Sequence, residues 1–287
     1  MALTEDYTFQ LNTDGVILNQ DDISFPFVDI NRVDGLDSPD FRETIRDHEG
    51  VDGGFMDAEF EMGRNINLEG IVYADTSTME DYFDNLKSNW APSFTLIPLF
   101  LKVPGKDERV VFVKPRGVRY SWESIRRTGQ STVKFGAYAE DPRIYSSELI
   151  TNIVSIGSTT TDGLGFPFGF PFGFGEEPTS PATDIINIGN RSSPIIMSIS
   201  GPTTNPRIIN DTVGKTLEFI ITLGSADYLV IDTANRTVKL NGSANRRNSL
   251  VSAEWFDLAT GSNFIRYQAN TDDPDSVLTV QYRHAWR

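Results

Sequence analysis

The segment GLGFPFGFPFGFG, Gly163 to Gly175, restricts the fold more than any other part of this sequence. Phenylalanine takes every second position from Phe166 to Phe174, with proline or glycine between. Pro167 and Pro171 rule out a helix, because each removes a backbone donor and clashes with the preceding turn. Extended as a strand, the segment sets Phe166, Phe168, Phe170, Phe172 and Phe174 on one side. As a polyproline helix it would spread them round three faces. The prolines confine any such strand to a sheet edge. Burying each ring is worth about 1.5–3 kcal/mol, and five rings left in water invite aggregation. The segment therefore requires a docking surface, either the seam between two domains of its own chain or a neighbouring copy.

Elsewhere the pattern is that of strands. With 287 residues, 39% of them hydrophobic, the chain has material for two cores. Short runs rich in Val, Ile, Thr, Phe and Tyr recur between glycine and proline turns. YTFQLN, VILNQ and ISFPFVDI open the chain, and residues 34–54, polar and glycine-rich, read as a long exposed loop. FMDAEFEMG and RNINLEGIVYA resume the strands.

One helix is expected over 77–90, where Met79, Tyr82, Phe83, Leu86 and Trp90 form a single apolar stripe. Ser77 with Glu80, and more loosely Thr78 with Asp81, fit a capping box, and Pro92 ends the helix. A long hairpin follows over 95–139, and ELITNIVSIG then leads into the phenylalanine repeat. From Asp184 onward DIINIGN, PIIMSISG, RIIN, LEFIITL, YLVID, RTVKLNG, EWFDL, NFIRYQA and SVLTVQYRHAW follow at the spacing of a β-sandwich. Asn241–Gly242 is a hairpin turn signal.

Chemistry finds little purchase. The chain has no cysteine and only two histidines, His48 and His284, so no cysteine–histidine zinc set or thiol nucleophile exists. VGKT at Val213–Thr216 lacks the leading glycine of a phosphate loop and sits between strands, so it reads as a turn. Gln10 to Asp21 imitates a calcium loop, but begins with Gln and ends with Asp, and a hairpin turn suits it better. No pair of carboxylates stands out for glycosidase work, and no GxSxG turn supports a serine nucleophile. No catalytic residue, cofactor or metal is expected. The start, MALTEDYTFQ, has neither basic region nor apolar core, so folding in a cytoplasm is expected, without membrane insertion.

The net charge of −15 is uneven. Residues 1–62 carry 16 acidic and 3 basic groups, and residues 101–134 carry 9 basic and 3 acidic groups. An acidic surface keeps a protein soluble and disfavours any grip on nucleic acid. The basic hairpin, through Arg116, Arg119, Arg126 and Arg127, is a candidate for contact with an acidic neighbour.

Several motifs in order resemble the distal tail proteins of long-tailed phages of Gram-positive and actinobacterial hosts. They are the helix ending at Trp90–Pro92 and the hairpin after it, VKFGAYAEDPRIYS (Val133–Ser146) and FPFGFPFGFG. NIGN, SISGPTTNPRI, YLVIDTANRTVKLNG, LATGSNFIRY and the closing RHAW complete the series. The match runs from about Tyr73 onward, and its order is more specific than any single motif. It implies an all-β protein with one helix: an N-terminal β domain with a β-hairpin arm (1–155), a linker or arm (156–180) and a C-terminal galectin-like sandwich (181–287).

In function it implies a hexameric ring at the virion tail tip, assembled in the host cytoplasm. That ring would join the tail tube protein to hub, minor tail and fibre or receptor-binding proteins while DNA passes through its lumen. A second reading is a carbohydrate-binding module for cell-surface attachment, with Trp255, Phe256, Tyr267 and Trp286 either stacking on sugar or filling the core. Fold alone does not decide between them.

Overall fold

In the computed structural model the described residues are 3–20, 25–43, 45–47, 50–52, 54–56, 60–121, 129–156, 182–270 and 273–287. The phenylalanine repeat, Arg126 and Arg127 lie outside them. Two compact units form, Met1–Ser147 together with Arg287, and Glu148–Trp286.

The first unit contains β1 (Phe9–Leu11), β2 (Ile17–Leu18), β3 (Phe27–Asp34), β4 (Phe41–Arg42), β5 (Ile45–Asp47), β6 (Gly54–Met56), β7 (Phe60–Glu61) and β8 (Arg64–Tyr73). After these come α1 (Met79–Asn89), β9 (Ile97–Leu101), β10 (Arg109–Tyr120), β11 (Gln130–Ala139) and β12 (Ile144–Ser146). The main sheet runs β2-β1-β9-β10-β11-β8-β3, antiparallel throughout, with β12 also on β10. Period-two alternation decides its faces. Ile66, Leu68 and Val72 of β8 point inward with Val133, Phe135 and Ala137 of β11, while Asn65, Asn67 and Glu69 face out.

The helix covers the inner face. Met79, Phe83 and Leu86 are buried, Phe83 stacks on Tyr120 at 3.9 Å between ring centroids, and Trp90 meets Phe135 at 4.9 Å. The capping box does not form. Thr78 holds the N-cap with φ −111° and ψ −7°, so its hydroxyl turns back to donate to the Asp75 carbonyl rather than accepting from the first turn. Glu80 and Asp81 still favour the positive end of the helix dipole. At the sheet's other margin Asn19, in the left-handed region at φ 65°, ties β2 to β3. Its N–H donates to Val28 at 2.9 Å, and its Oδ1 accepts from Ile30 N–H at 3.0 Å. The sheet thus curls back on itself.

Two sequence expectations change in this unit. Residues 34–54 are not one loop: among the described residues β4 pairs with β7 and β5 with β6, two short two-stranded sheets. Their strands are two or three residues long and strongly charged, too short for alternation to register. The hairpin over 95–139 supplies β9, β10 and β11, which occupy the middle of the main sheet.

The second unit begins earlier than residue 181. β13 (Ile150–Ser155) pairs along its whole length with β25 and buries Val154, so it belongs to the second core and not to an N-terminal domain ending at 155. The order continues with β14 (Thr183–Asn187), β15 (Ile195–Ser200), β16 (Thr203–Thr204), β17 (Arg207–Asn210), β18 (Lys215–Phe219) and β19 (Thr222–Leu223). Then come β20 (Tyr228–Asp232), β21 (Thr237–Leu240), β22 (Ala244–Asn245), β23 (Leu250–Ala253), β24 (Gly261–Gln268) and β25 (Val277–Tyr282). Two sheets, β13-β25-β15-β20-β21-β22 and β14-β24-β17-β18-β23, enclose Ile199, Leu217, Phe219, Ile231, Tyr267 and Val280. Asn241 and Gly242, both at positive φ, make the expected turn between β21 and β22. EWFDL is not a strand; Glu254 to Asp257 leave the sheet so that Phe256 and Leu258 can turn into the core.

Buried amides explain two of the motifs. Asn263, fully buried, donates from Nδ2 to Ala259 and Gly261 carbonyls at 2.9 and 3.0 Å and accepts Ala259 N–H at 2.9 Å. Asn187 donates to the Arg191 carbonyl at 2.7 Å and accepts Gly189 N–H at 3.1 Å. A Cβ on Gly189 would lie 1.8 Å from the Ala285 carbonyl oxygen, so the NIGN turn fits the closing RHAW only with glycine. Replacing Asn263 by Leu strands those backbone groups without partners, and a buried orphan costs about 1–3 kcal/mol. Asn263→Leu should therefore lower the urea midpoint of the second unit by an equivalent of about 3 kcal/mol, whereas Asn67→Leu on the open face of the first unit should leave it unchanged.

Candidate assembly surfaces

Among the described residues no cluster of His, Asp and Glu could hold a metal ion, whereas sheet edges and exposed apolar side chains are present. The base of the phenylalanine segment is the most informative. Ile156 bridges to Tyr267 of β24, and Thr183 pairs with Ile265 of the same strand. Residues two apart on a strand are separated by about 7 Å. Ile156 and Thr183, which flank residues 157–181 in the sequence, thus both attach to the second unit, at neighbouring points of β24.

The outer face of the first unit's sheet holds the two described arginine candidates. Arg119 lies opposite Lys134, Lys134 opposite Glu69 and Glu69 opposite Arg32, a charged row across four strands. Lys134 pairs with Glu69 at 2.7 Å, Arg32 with Asp34 at 3.0 Å and Lys114 with Glu140 at 2.5 Å. Two of the nine basic groups of 101–134, Lys114 and Lys134, therefore meet carboxylates of their own unit. Arg116, at the bulge before Gly117, donates to Asn65 Oδ1 at 3.0 Å and lies 4.9 Å from the centroid of the Tyr138 ring. Arg119 is exposed, with no ion pair among the described residues.

Two features escaped the sequence reading. The short pairs β4–β7 and β5–β6 have edges that meet no other strand among the described residues, the arrangement that invites strand addition. Phe60 on β7 is 57% exposed beneath the Arg42 guanidinium. The start of β8 is held by Arg64, only 3% exposed, whose Nε donates to the Pro142 carbonyl at 2.5 Å and whose Nη1 donates to Asp37. Burial pushes the Arg64 guanidinium below its ordinary value, partly offset by Glu61 and Asp37. The DPRIY turn that receives Arg64 is itself tied, since Asp141 accepts from Arg143 Nε at 2.9 Å and from the Tyr145 hydroxyl at 2.5 Å. The second feature is Phe94, 99% exposed on a turn clasped by Ser93 and Thr95. A lone phenylalanine between polar residues carries no periodicity that would mark it.

Residues 188–286 match the family described as the siphovirus-type tail component, C-terminal domain. The second unit is thus similar to a siphovirus-type tail component domain. The resemblance to distal tail proteins is thereby borne out, and the likeness of folds extends it across both units. The SPP1 Dit (gp 19.1) protein, whose crystal structure is described as a paradigm of the hub adsorption apparatus in phages infecting Gram-positive hosts, aligns with a TM-score of 0.66 at 15% identity. That alignment covers 99% of this chain and 100% of the other. A chain of the phage P2 baseplate in its activated conformation with calcium aligns with a TM-score of 0.51 at 13% identity, over 96% and 98% of the two chains. No curated protein sequence matches the chain.

Within the second unit the four aromatic candidates separate. Phe256 and Tyr267 are buried, and the Tyr267 hydroxyl is spent on Ser276 at 2.7 Å. Neither ring can stack on a sugar. Trp255 is half-buried against the core, and Trp286 is half-buried with its ring edge-on to His284 at 6.1 Å.

His284 links the ends of the domain, because its Nδ1 accepts the Ile188 N–H at 3.2 Å. That bond requires an unprotonated Nδ1. Burial holds the imidazole below its ordinary 6.5, with Glu148 opposing. A depressed folded value means that unfolded chains take up the proton first. The stabilisation is complete above pH about 6.5 and is lost as pH falls through the lower folded value. Melting temperature should accordingly drop between pH 7 and pH 5, and His284→Gln should flatten that part of the profile; an unchanged slope in the variant would remove the assignment.

Proposed function

We propose that this chain is a structural component of a siphovirus tail tip, in which six copies form a ring joining the tail tube to the baseplate hub. The observation that carries this reading is the likeness to SPP1 Dit through the whole of both chains, so that two different β units recur in the same order. A ring needs heterologous contacts, in which one patch of a copy meets a different patch of the next. The exposed Phe60 on the β4–β7 pair and the charged row through Arg119 supply such unlike surfaces.

In this reading Phe166, Phe168, Phe170, Phe172 and Phe174 make contacts between copies, as do Arg116, Arg119, Arg126 and Arg127. The pairing of the flanking Ile156 and Thr183 with one strand, β24, supports the first assignment, since neither end has to reach the first unit. The acidic charge of residues 1–62 suits a lumen through which DNA moves without adhering. Tube protein, hub and minor tail proteins, and a fibre or receptor-binding protein, are the partners, and the virion tail tip is the location. The chain contributes shape and contact rather than catalysis.

Sedimentation and negative-stain microscopy test the ring directly. The purified chain of 32.0 kDa should form a particle of six copies with a central opening, and a monomer at every concentration would exclude the ring. Replacing residues 158–180 by a short Gly-Ser turn should leave the melting of the second unit within a few degrees of the parent while abolishing the ring; rings of normal yield would free the phenylalanines from this role. Reversal of Arg119, Arg126 and Arg127 to Glu should weaken association, most visibly at low salt.

A further inference from the structure

Between Asp232 and Glu254 the sequence contains four cations, Arg236, Lys239, Arg246 and Arg247, and no acidic residue. In a chain with net charge −15 this is a pronounced local inversion. The fold draws these residues together round the β21–β22 hairpin. Lys239 lies opposite Asn245, the Arg246 N–H donates to the Val238 carbonyl at 2.9 Å, and Arg247 Nη1 donates to the Arg236 carbonyl. None of the four has an ion pair among the described residues. Beside them opens a cavity of about 520 Å³ lined by Asn245, Arg247 and Asn248.

Arg247 is held in place before any ligand arrives. Its guanidinium carbon sits 5.6 Å from the centroid of the Trp255 ring, and its backbone N–H donates to Asn245 Oδ1 at 2.9 Å. A planar guanidinium fixed on an aromatic face presents its remaining donors in the fork that fits a carboxylate or phosphate. Fixing it in advance reduces the ordering cost of binding. The amide groups of Asn245 and Asn248 on the same wall offer hydrogen bonds to neutral hydroxyls.

We propose that this open depression binds an anionic glycan, its carboxylate or phosphate meeting Arg247 and its hydroxyls meeting the asparagine amides. Two features weigh against other polyanions. Single-stranded nucleic acid binds on open aromatic platforms, whereas Trp255 is half-buried and covered by Arg247. An acidic protein face offers carboxylates, whereas the wall here presents two side-chain amides, Asn245 and Asn248, beside the single cation Arg247. The inference does not depend on the ring, because every residue in it belongs to the second unit.

Calorimetric titration of the full chain with oligogalacturonate and with poly(glycerol phosphate) tests the proposal and separates the two anionic groups. Neutral dextran and a single-stranded oligonucleotide of equal charge are the comparison ligands. At least one anionic glycan should bind, dextran should not, and the oligonucleotide should bind at least tenfold more weakly. Arg247→Gln and, separately, Asn248→Ala should each lower the glycan affinity, the first by tenfold or more, with parental melting temperatures. Absence of glycan binding, equal binding of the oligonucleotide, or equal affinity in both variants would overturn the proposal. So would an Arg247→Gln protein that changes its state of association and not its glycan binding, which would mark the face as a joint between copies.

Discussion

A β-strand presents alternate residues to opposite faces, and this constraint governs both units. In β8 and β11 alternate positions are apolar, which commits one face of the first sheet to a core and leaves the other polar. An apolar sheet face must be covered. The first unit covers it with α1, whose Phe83 and Trp90 lie on Tyr120 and Phe135. The second unit covers one sheet with another. From the same constraint comes the functional surface, because whatever is not committed inward remains for contact with other molecules.

The polar parts of the fold do a different job from the cores. Asn187 and Asn263 in the second unit, and Arg64 in the first, are buried groups that bind backbone where the chain leaves its ladders. Backbone that departs from a sheet loses its ladder partners and must find others. These side chains are those partners, which is why the two asparagines stand in the loop motifs NIGN and LATGSNF. Free cations are distributed otherwise. Lys114 and Lys134 are neutralised within the first sheet, whereas the arginines round the β21–β22 hairpin are not, so local pairing and not total charge separates a structural patch from a receptive one.

Much of this was legible in the sequence. Alternation placed most strands of the second unit, the apolar stripe placed α1 to within two residues at its start, and Asn241–Gly242 marked its turn. The order of motifs indicated the family of the second unit. What failed did so for local reasons. The strands β4 to β7 are too short and too charged for periodicity, Thr78 adopts a conformation that sends its hydroxyl backward, and EWFDL has strand-forming residues at a place where the chain must turn inward.

Composition, alternation and turn residues thus determined by themselves that this is a β protein with one covering helix and no cysteine–histidine chemistry, because those properties depend only on near neighbours along the chain. Tertiary structure alone decided that β13 belongs to the second core, that Ile156 and Thr183 both pair with β24, and that Arg247 lies on Trp255. The first two join residues far apart in sequence, and pairing across such distances is settled by which strands come to lie side by side; the third depends on how the chain turns after β23.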